Sequence, residues 1–178
     1  PTDWPAMLAL SARIKALEAG MEGMHYAWSG DDWMFSALLF GHGGRMLSQD
    51  ERDVAFAGPE GLGALTLLDR MVKDGGMANL SRDAAQQAFA AGRLGMFFWT
   101  TAALRGFQQT VGRNFELRTG PMPIINAQIG RLPTGGAAGM LTLFIRGVLC
   151  NWMVSTGVVA AMMSTSVSGK ATSSGRWR

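Results

Sequence analysis

The stretch "LGMFFWTTAAL", residues 94–104, ends a short aromatic run on an indole, Trp99, and two hydroxyls, Thr100 and Thr101, just where a helix pattern begins. A strand running into a helix start presents free backbone N–H groups and the positive end of a helix dipole, a place that binds phosphate, carboxylate or sugar hydroxyls. Thr residues at such a position also serve as ordinary caps, and a Trp at a strand end also packs. A second group of suitable residues lies in "YAWSGDDW", where Trp28 and Trp33 flank Asp31 and Asp32. An indole face stacks on the apolar face of a sugar ring while neighbouring carboxylates accept its hydroxyl protons. The plainer reading of this stretch is a surface loop with a capping Asp31 and one core Trp. In "RLPTGGAAG", Gly135 and Gly136 let backbone approach a ligand without side-chain obstruction, or simply turn the chain.

Catalytic signatures fail on inspection. "FGHGGR", around His42, resembles the His-Gly-Gly oxyanion loop of some hydrolases, but no G-x-S-x-G nucleophile elbow accompanies it. "STSVSGKA" lacks the first glycine of a phosphate loop and the hydroxyl after Lys170, and "GPEGLG" lacks dinucleotide-loop spacing. Asp31 and Asp32 are adjacent, with no second carboxylate pair to face them. Cys150, His25 and His42 have no zinc-ligand spacing, so neither a metal nor another cofactor is expected. The expectation is a binding protein rather than an enzyme.

The elements that must position these residues follow from periodicity. In "PTDWPAMLALSARIKALEAG", Met7, Leu10, Ile14 and Leu17 share a helical face, with Thr2 or Asp3 to cap it, Pro5 in the first turn and Gly20 to end it. "MHYAWSG" is expected to be loop, followed by an apolar helix from about Asp32 to Gly41. Pro59 opens a third helix, with Leu62, Leu65, Leu68 and Val72 as its apolar face and Gly75 at its end. Ser81 caps a fourth, with Asp83 in its first turn, Ala85, Ala88 and Phe89 inward and Gly92 as terminator. "LGMFFW" is a buried strand, and Thr100 or Thr101 caps a helix to about Thr110. "FELRTGPMP" and "MLTLFI" are further extended segments, giving an α/β layered fold with no internal repeat.

Charge divides the chain unevenly. Through Phe144 there are 12 Lys and Arg against 13 Asp and Glu; the last carboxylate is Glu116, and the final 4 basic residues of the 16 stand in the tail. They are scattered rather than clustered with aromatics, so nucleic acid is not an expected partner. The uncharged span 147–169 is long enough to cross a bilayer but rich in Ser, Thr and Gly, which keeps a small membrane-anchored protein as an alternative. The chain starts at Pro1 with no basic segment leading into an apolar one, so no signal peptide is read in it.

In order, "PTDWPAMLALSARIKALEAG", "DDWMFSALLFGHGGRML", "VAFAGPEGLGALTLLDRMVKDGG", "AFAAGRLGMFFWTTAAL" and "FELRTGPMPIINAQIGRLPTGG" resemble the extracellular solute-binding proteins of bacterial ABC importers. The branch is the one that binds sugars, oligosaccharides and glycerol-3-phosphate. The first segment resembles that family's P-x-T-W helix and the fourth its F-x-x-G-[KR]-x-x-M segment. The resemblance covers residues 1–141 and implies an incomplete type II periplasmic-binding-protein-like lobe, helix-rich with a small mixed sheet. Most of it would be the second of two lobes that close on a ligand, with the chain crossing back to the first near 120–141. It implies a sugar or sugar-like polyol as ligand, with glycerol-3-phosphate as the alternative, ABC permease subunits as partners, and a periplasmic or lipid-anchored extracellular location. Trp33 matches the aromatic that stacks on ligand, Thr100 and Thr101 match the small or hydroxyl positions after the strand, and Gly135 and Gly136 match the loop that meets the ligand. Trp28, Asp32 and Trp99 complete the expected set. One departure is that Ala102 and Ala103 stand where sugar binders often carry a Trp. Another is the tail, 142–178, whose carboxylate-free composition fits a shifted reading frame or a disordered appendage.

Overall fold

The computed structural model describes residues 1–30 and 32–130, and the backbone of 137–143. In chain order it contains α1 (Trp4–Lys15), β1 (Glu22–Tyr26), α2 (Asp32–Gly41), α3 (Pro59–Lys73), α4 (Arg82–Ala90), β2 (Leu94–Thr100), a single 3₁₀ turn (Thr101–Ala103), α5 (Leu104–Val111), β3 (Glu116–Gly120) and β4 (Ala137–Leu143). The strands form one mixed sheet in the order β1-β2-β4-β3. β1 and β2 are parallel, with Tyr26 opposite Phe98, and β4 runs antiparallel to both β2 and β3. The α/β expectation therefore holds, small mixed sheet included.

Local chemistry explains the helix limits. Asp3 Oδ1 accepts from the Ala6 N–H at 2.9 Å and caps α1, whose first turn holds Pro5. Ser81 Oγ accepts from the Ala84 N–H at 3.2 Å and caps α4, with Asp83 in the first turn. Gly92, at φ +71°, turns the chain out of α4 into β2, a conformation that costs glycine least. α1 ends earlier than its pattern suggests, at Lys15, so Leu17 is exposed and Gly20 lies in the following loop.

The sheet has helices on both faces. On one, Met24, Tyr26, Met96 and Phe98 pack with Trp4, Met7, Leu8 and Ile14 of α1 and with residues of α2 and α3. On the other, Phe97 packs with Ala85 and Phe89 of α4 and Phe107 and Val111 of α5. The alternation along β2 divides these two cores, since successive side chains of a strand point to opposite faces. α1 lies directly on the sheet backbone: a Cβ on Gly23 would fall 2.1 Å from the Ser11 carbonyl oxygen, so only glycine allows this approach. The Ser11 hydroxyl, buried there, donates to the Gly75 carbonyl at 2.6 Å.

Two expectations are corrected. "MHYAWSG" is not all loop, because Met24, His25 and Tyr26 lie in β1, paired with β2 on the core side. The buried face of α3 is Gly61, Ala64, Leu67 and Met71, whereas Leu62, Leu65 and Val72 are exposed and Leu68 packs only partly. Gly61 is held against the loop that precedes α3, where a Cβ would fall 1.8 Å from the Phe56 carbonyl oxygen. Gly61, Ala64, Leu67 and Met71 face inward and the leucine-rich stripe faces out.

Candidate functional site

β1, β2 and β3 run in one direction, so their carboxyl ends share one edge of the sheet, and in open α/β sheets ligands bind beyond such an edge. Tyr26 and Phe98 are register partners, and the Ala27 N–H still donates to the Phe98 carbonyl at 3.1 Å. Trp28, two residues beyond Tyr26, and Thr100, the last residue of β2, therefore stand at the same edge. Ala137 pairs with Thr100, which brings the start of β4 to the same edge.

Tyr26 fixes the loop that follows β1. Its ring is wholly buried, and its hydroxyl donates to the Met34 carbonyl in the first turn of α2 at 2.7 Å. Burial raises the Tyr26 pKa well above its ordinary value, so the group is a permanent donor. The start of α2 is thereby tied to the end of β1, and Trp28 and Trp33 project from a braced loop with 49% and 52% of their surfaces exposed. A Tyr26→Phe substitution removes the tie and is expected to cost about 1–2 kcal/mol of stability, the usual effect of a lost buried hydrogen bond. A urea titration reads that cost, and an unchanged midpoint would show that the tie carries no weight.

Beyond β2, Thr100 Oγ1 accepts from the Ala102 N–H at 3.3 Å and caps the 3₁₀ turn, as the Thr-Thr pair suggests, while Thr101 is exposed. The edge thus gathers two exposed indoles, two hydroxyls and the starts of two helical segments. Asp32 begins α2, its side chain outside the described residues with Asp31, Gly135 and Gly136. The tail from 144 on, with the span 147–169, also lies outside them. No helix among the described residues is long and apolar enough to cross a membrane.

Trp99 is placed differently from its neighbours. Its indole turns to the α4–α5 face, edge-on to Phe97 and Phe107 at centroid distances of 6.0 and 6.4 Å, with the Arg82 guanidinium carbon 5.1 Å from the ring centroid. The strand alternation that sends Phe98 to the α1 side sends Trp99 here, a consequence legible in the sequence once β2 is recognised.

His42 follows α2 at a separate groove of about 660 Å³ between α3, the start of α1 and Ile124–Ile125. Burial lowers its pKa, opposed by a hydrogen bond to the Gly63 backbone and by the charge of Glu60. The hydroxyl in that groove, Thr66, donates to the Leu62 carbonyl at 2.8 Å. Among the described residues no three His, Cys, Asp or Glu side chains are grouped to hold a metal.

A family model described as "Bacterial extracellular solute-binding protein" matches residues 1–163, which takes in the first part of the tail as well as the described lobe. Among solved structures, the chain is similar to an ABC transporter solute-binding protein of Thermotoga lettingae TMO bound with α-D-tagatose. That match has a TM-score of 0.61 and 19% identity, over 80% of this chain and 38% of that one. It is similar to the same degree, TM-score 0.61 and 19% identity over 80% of this chain and 37% of that one, to the GacH receptor of Streptomyces glaucescens GLA.O. That receptor was solved unliganded and with acarbose or an acarbose homologue. The chain spans less than two-fifths of the length of either neighbour. No curated protein sequence matches it.

Proposed function

This chain belongs to the bacterial extracellular solute-binding proteins, and from that premise we propose that it forms one wall of a cleft that captures a neutral sugar or polyol for an ABC importer. The observation that supports this reading is that Trp28, Thr100 and Thr101 stand at or just beyond the carboxyl edge of parallel strands, with Trp33 in the first turn of the helix that Tyr26 ties to β1. Trp33 and Trp28 stack on the apolar face of the ring, and Asp32, Thr100, Thr101 and the Gly135–Gly136 backbone take its hydroxyls. Binding and release, with no covalent step, is the chemistry that such a set performs.

Charge supports a neutral ligand over glycerol-3-phosphate. No Lys or Arg occurs between Lys15 and Arg45, while Asp31 and Asp32 stand in the loop that leads into α2. A phosphate brought to that loop meets two carboxylates and no cation from the same segment. The sugar-bound structural neighbours support the same class. A second lobe supplies the opposite wall, lobe closure reports occupancy to permease subunits, and the protein works outside the cytoplasmic membrane, held by a lipid anchor where there is no periplasm.

Tryptophan fluorescence tests this directly, first with the chain alone and then with the chain joined to a complementary lobe. Neutral sugars are expected to bind the joined protein, with weak binding by the chain alone and no response to glycerol-3-phosphate. Trp33→Ala is expected to weaken binding by about tenfold or more, as loss of a stacking aromatic does. A joined protein that is folded and answers no sugar, or that answers glycerol-3-phosphate first, would overturn the assignment.

A further inference from the structure

The face of the sheet away from α1 carries a groove of about 810 Å³ between α4 and α5, within the usual range of small-molecule sites. Both helices start near the carboxyl edge of β2 and descend along its face. Asp83, Gln86 and Gln87 form one wall, Ala103, Gly106 and Thr110 the other, and Trp99 lies at its head. Adjacent packed helices ordinarily fill the space between them with interdigitating side chains. Here one wall is alanine, glycine and threonine, and the space stays open.

Gly106 is the informative residue. It lies inside α5, where glycine costs about 1 kcal/mol relative to alanine. Close packing does not require it, because a Cβ there would meet nothing within 4 Å. What the missing side chain preserves is the opening above Trp99 and Phe107, which pack edge to face. The Arg82 guanidinium lies over the indole. The groove therefore offers an aromatic ring, two carboxamides and one carboxylate, Asp83.

We propose that the α4–α5 groove is a second small-molecule site, separate from the sheet edge, that takes a neutral polyhydroxylated ring. The C–H face of the ring rests on Trp99 and its hydroxyls pair with the Gln86 and Gln87 amides. Carboxamides both donate and accept, which suits vicinal hydroxyls and gives no advantage to an anion. The described lining of the groove comes from residues 83–114, whereas the edge is one wall of a cleft.

The test is NMR titration of the chain, residues 1–178, with glucose and with maltotriose. The signals to follow are the Trp99 indole N–H, the Gly106 amide and the Gln86 and Gln87 side-chain amides. Saturable shifts of these with one common Kd are expected, and Gly106→Leu is expected to raise that Kd by about tenfold or more. If that variant does not fold, Gln86→Ala with Gln87→Ala, on the wetter side of α4, is expected to raise Kd about fivefold with the helix intact. Shifts confined to Trp28, Trp33 and Thr101 would overturn the groove site and leave the edge reading standing. Groove shifts with the edge silent would support the groove site, since the chain alone is expected to bind only weakly at the edge, and no saturable groove shift with either sugar overturns the proposal.

Discussion

Phe97→Ala is expected to lose about 3–5 kcal/mol of stability, the range for removing a fully buried aromatic side chain. The ring is inaccessible to solvent and stands at the centre of an aromatic cluster. Its centroid lies 5.3 Å from those of His25 and Phe107, 5.7 Å from that of Phe89 and 6.0 Å from that of Trp99. These neighbours come from β1, β2, α4 and α5, so no single movement closes the cavity, which puts the cost towards the upper part of the range. At roughly 2–4 °C per kcal/mol for a chain of this size, the melting temperature falls by about 6–20 °C. Denaturant unfolding is the measurement, with Phe97→Leu, a smaller volume loss, expected to cost much less. A loss below about 1 kcal/mol would mean that this face does not pack as described.

Acidification produces the second large effect. His25 is buried in β1 against Phe97, its Nδ1 has no hydrogen-bond partner among the described residues, and burial lowers its pKa to about 4. The native state therefore keeps the imidazole neutral where the unfolded chain, with an ordinary value of 6.5, takes up a proton. Below pH 6.5 unfolding binds that proton, so stability falls as pH drops from 6.5 towards 4 and levels off below the native pKa. Between those limits the loss from this group is on the order of 3 kcal/mol. His25→Leu, close in volume and without a titrating nitrogen, is expected to remove this part of the pH dependence while leaving stability above pH 7 within about 1.5 kcal/mol. Parallel stability curves for the parent and the variant from pH 7 to 4 would refute the assignment to His25.

How far the sequence reveals this molecule depends on which residues carry each signal. Caps and breakers act within a few residues, so Asp3, Ser81, Pro59 and Gly92 mark their helix ends, and α2 begins and ends where its apolar run does. Burial direction is not local. α3 has two apolar stripes, and periodicity favours Leu62, Leu65 and Val72, although the stripe that packs is Gly61, Ala64, Leu67 and Met71. The glycine and alanine on that stripe were the available clue. β1 escapes notice because its five residues include Glu22, Gly23 and His25, which break the strand pattern, and only β2 and α1 complete its burial. The edge residues Trp28, Trp33, Thr100 and Thr101 are recognisable by type. That β1 and β2 end at one edge is a property of their parallel register, which no local pattern specifies.

That register also sets the order in which the molecule can be made. β2 takes its neighbours from both directions along the chain, pairing Leu94 with Glu22 behind it and Met96 with Leu141 ahead of it. β3 is synthesised before β4, its partner in the described sheet. During translation, at roughly 5–20 residues per second, β2 therefore waits several seconds with one edge unpaired, and β3 emerges with no strand to join. An open hydrophobic strand edge recruits foreign strands. β4 is the seal of this sheet, and the nascent chain passes its most aggregation-prone interval just before β4 leaves the ribosome.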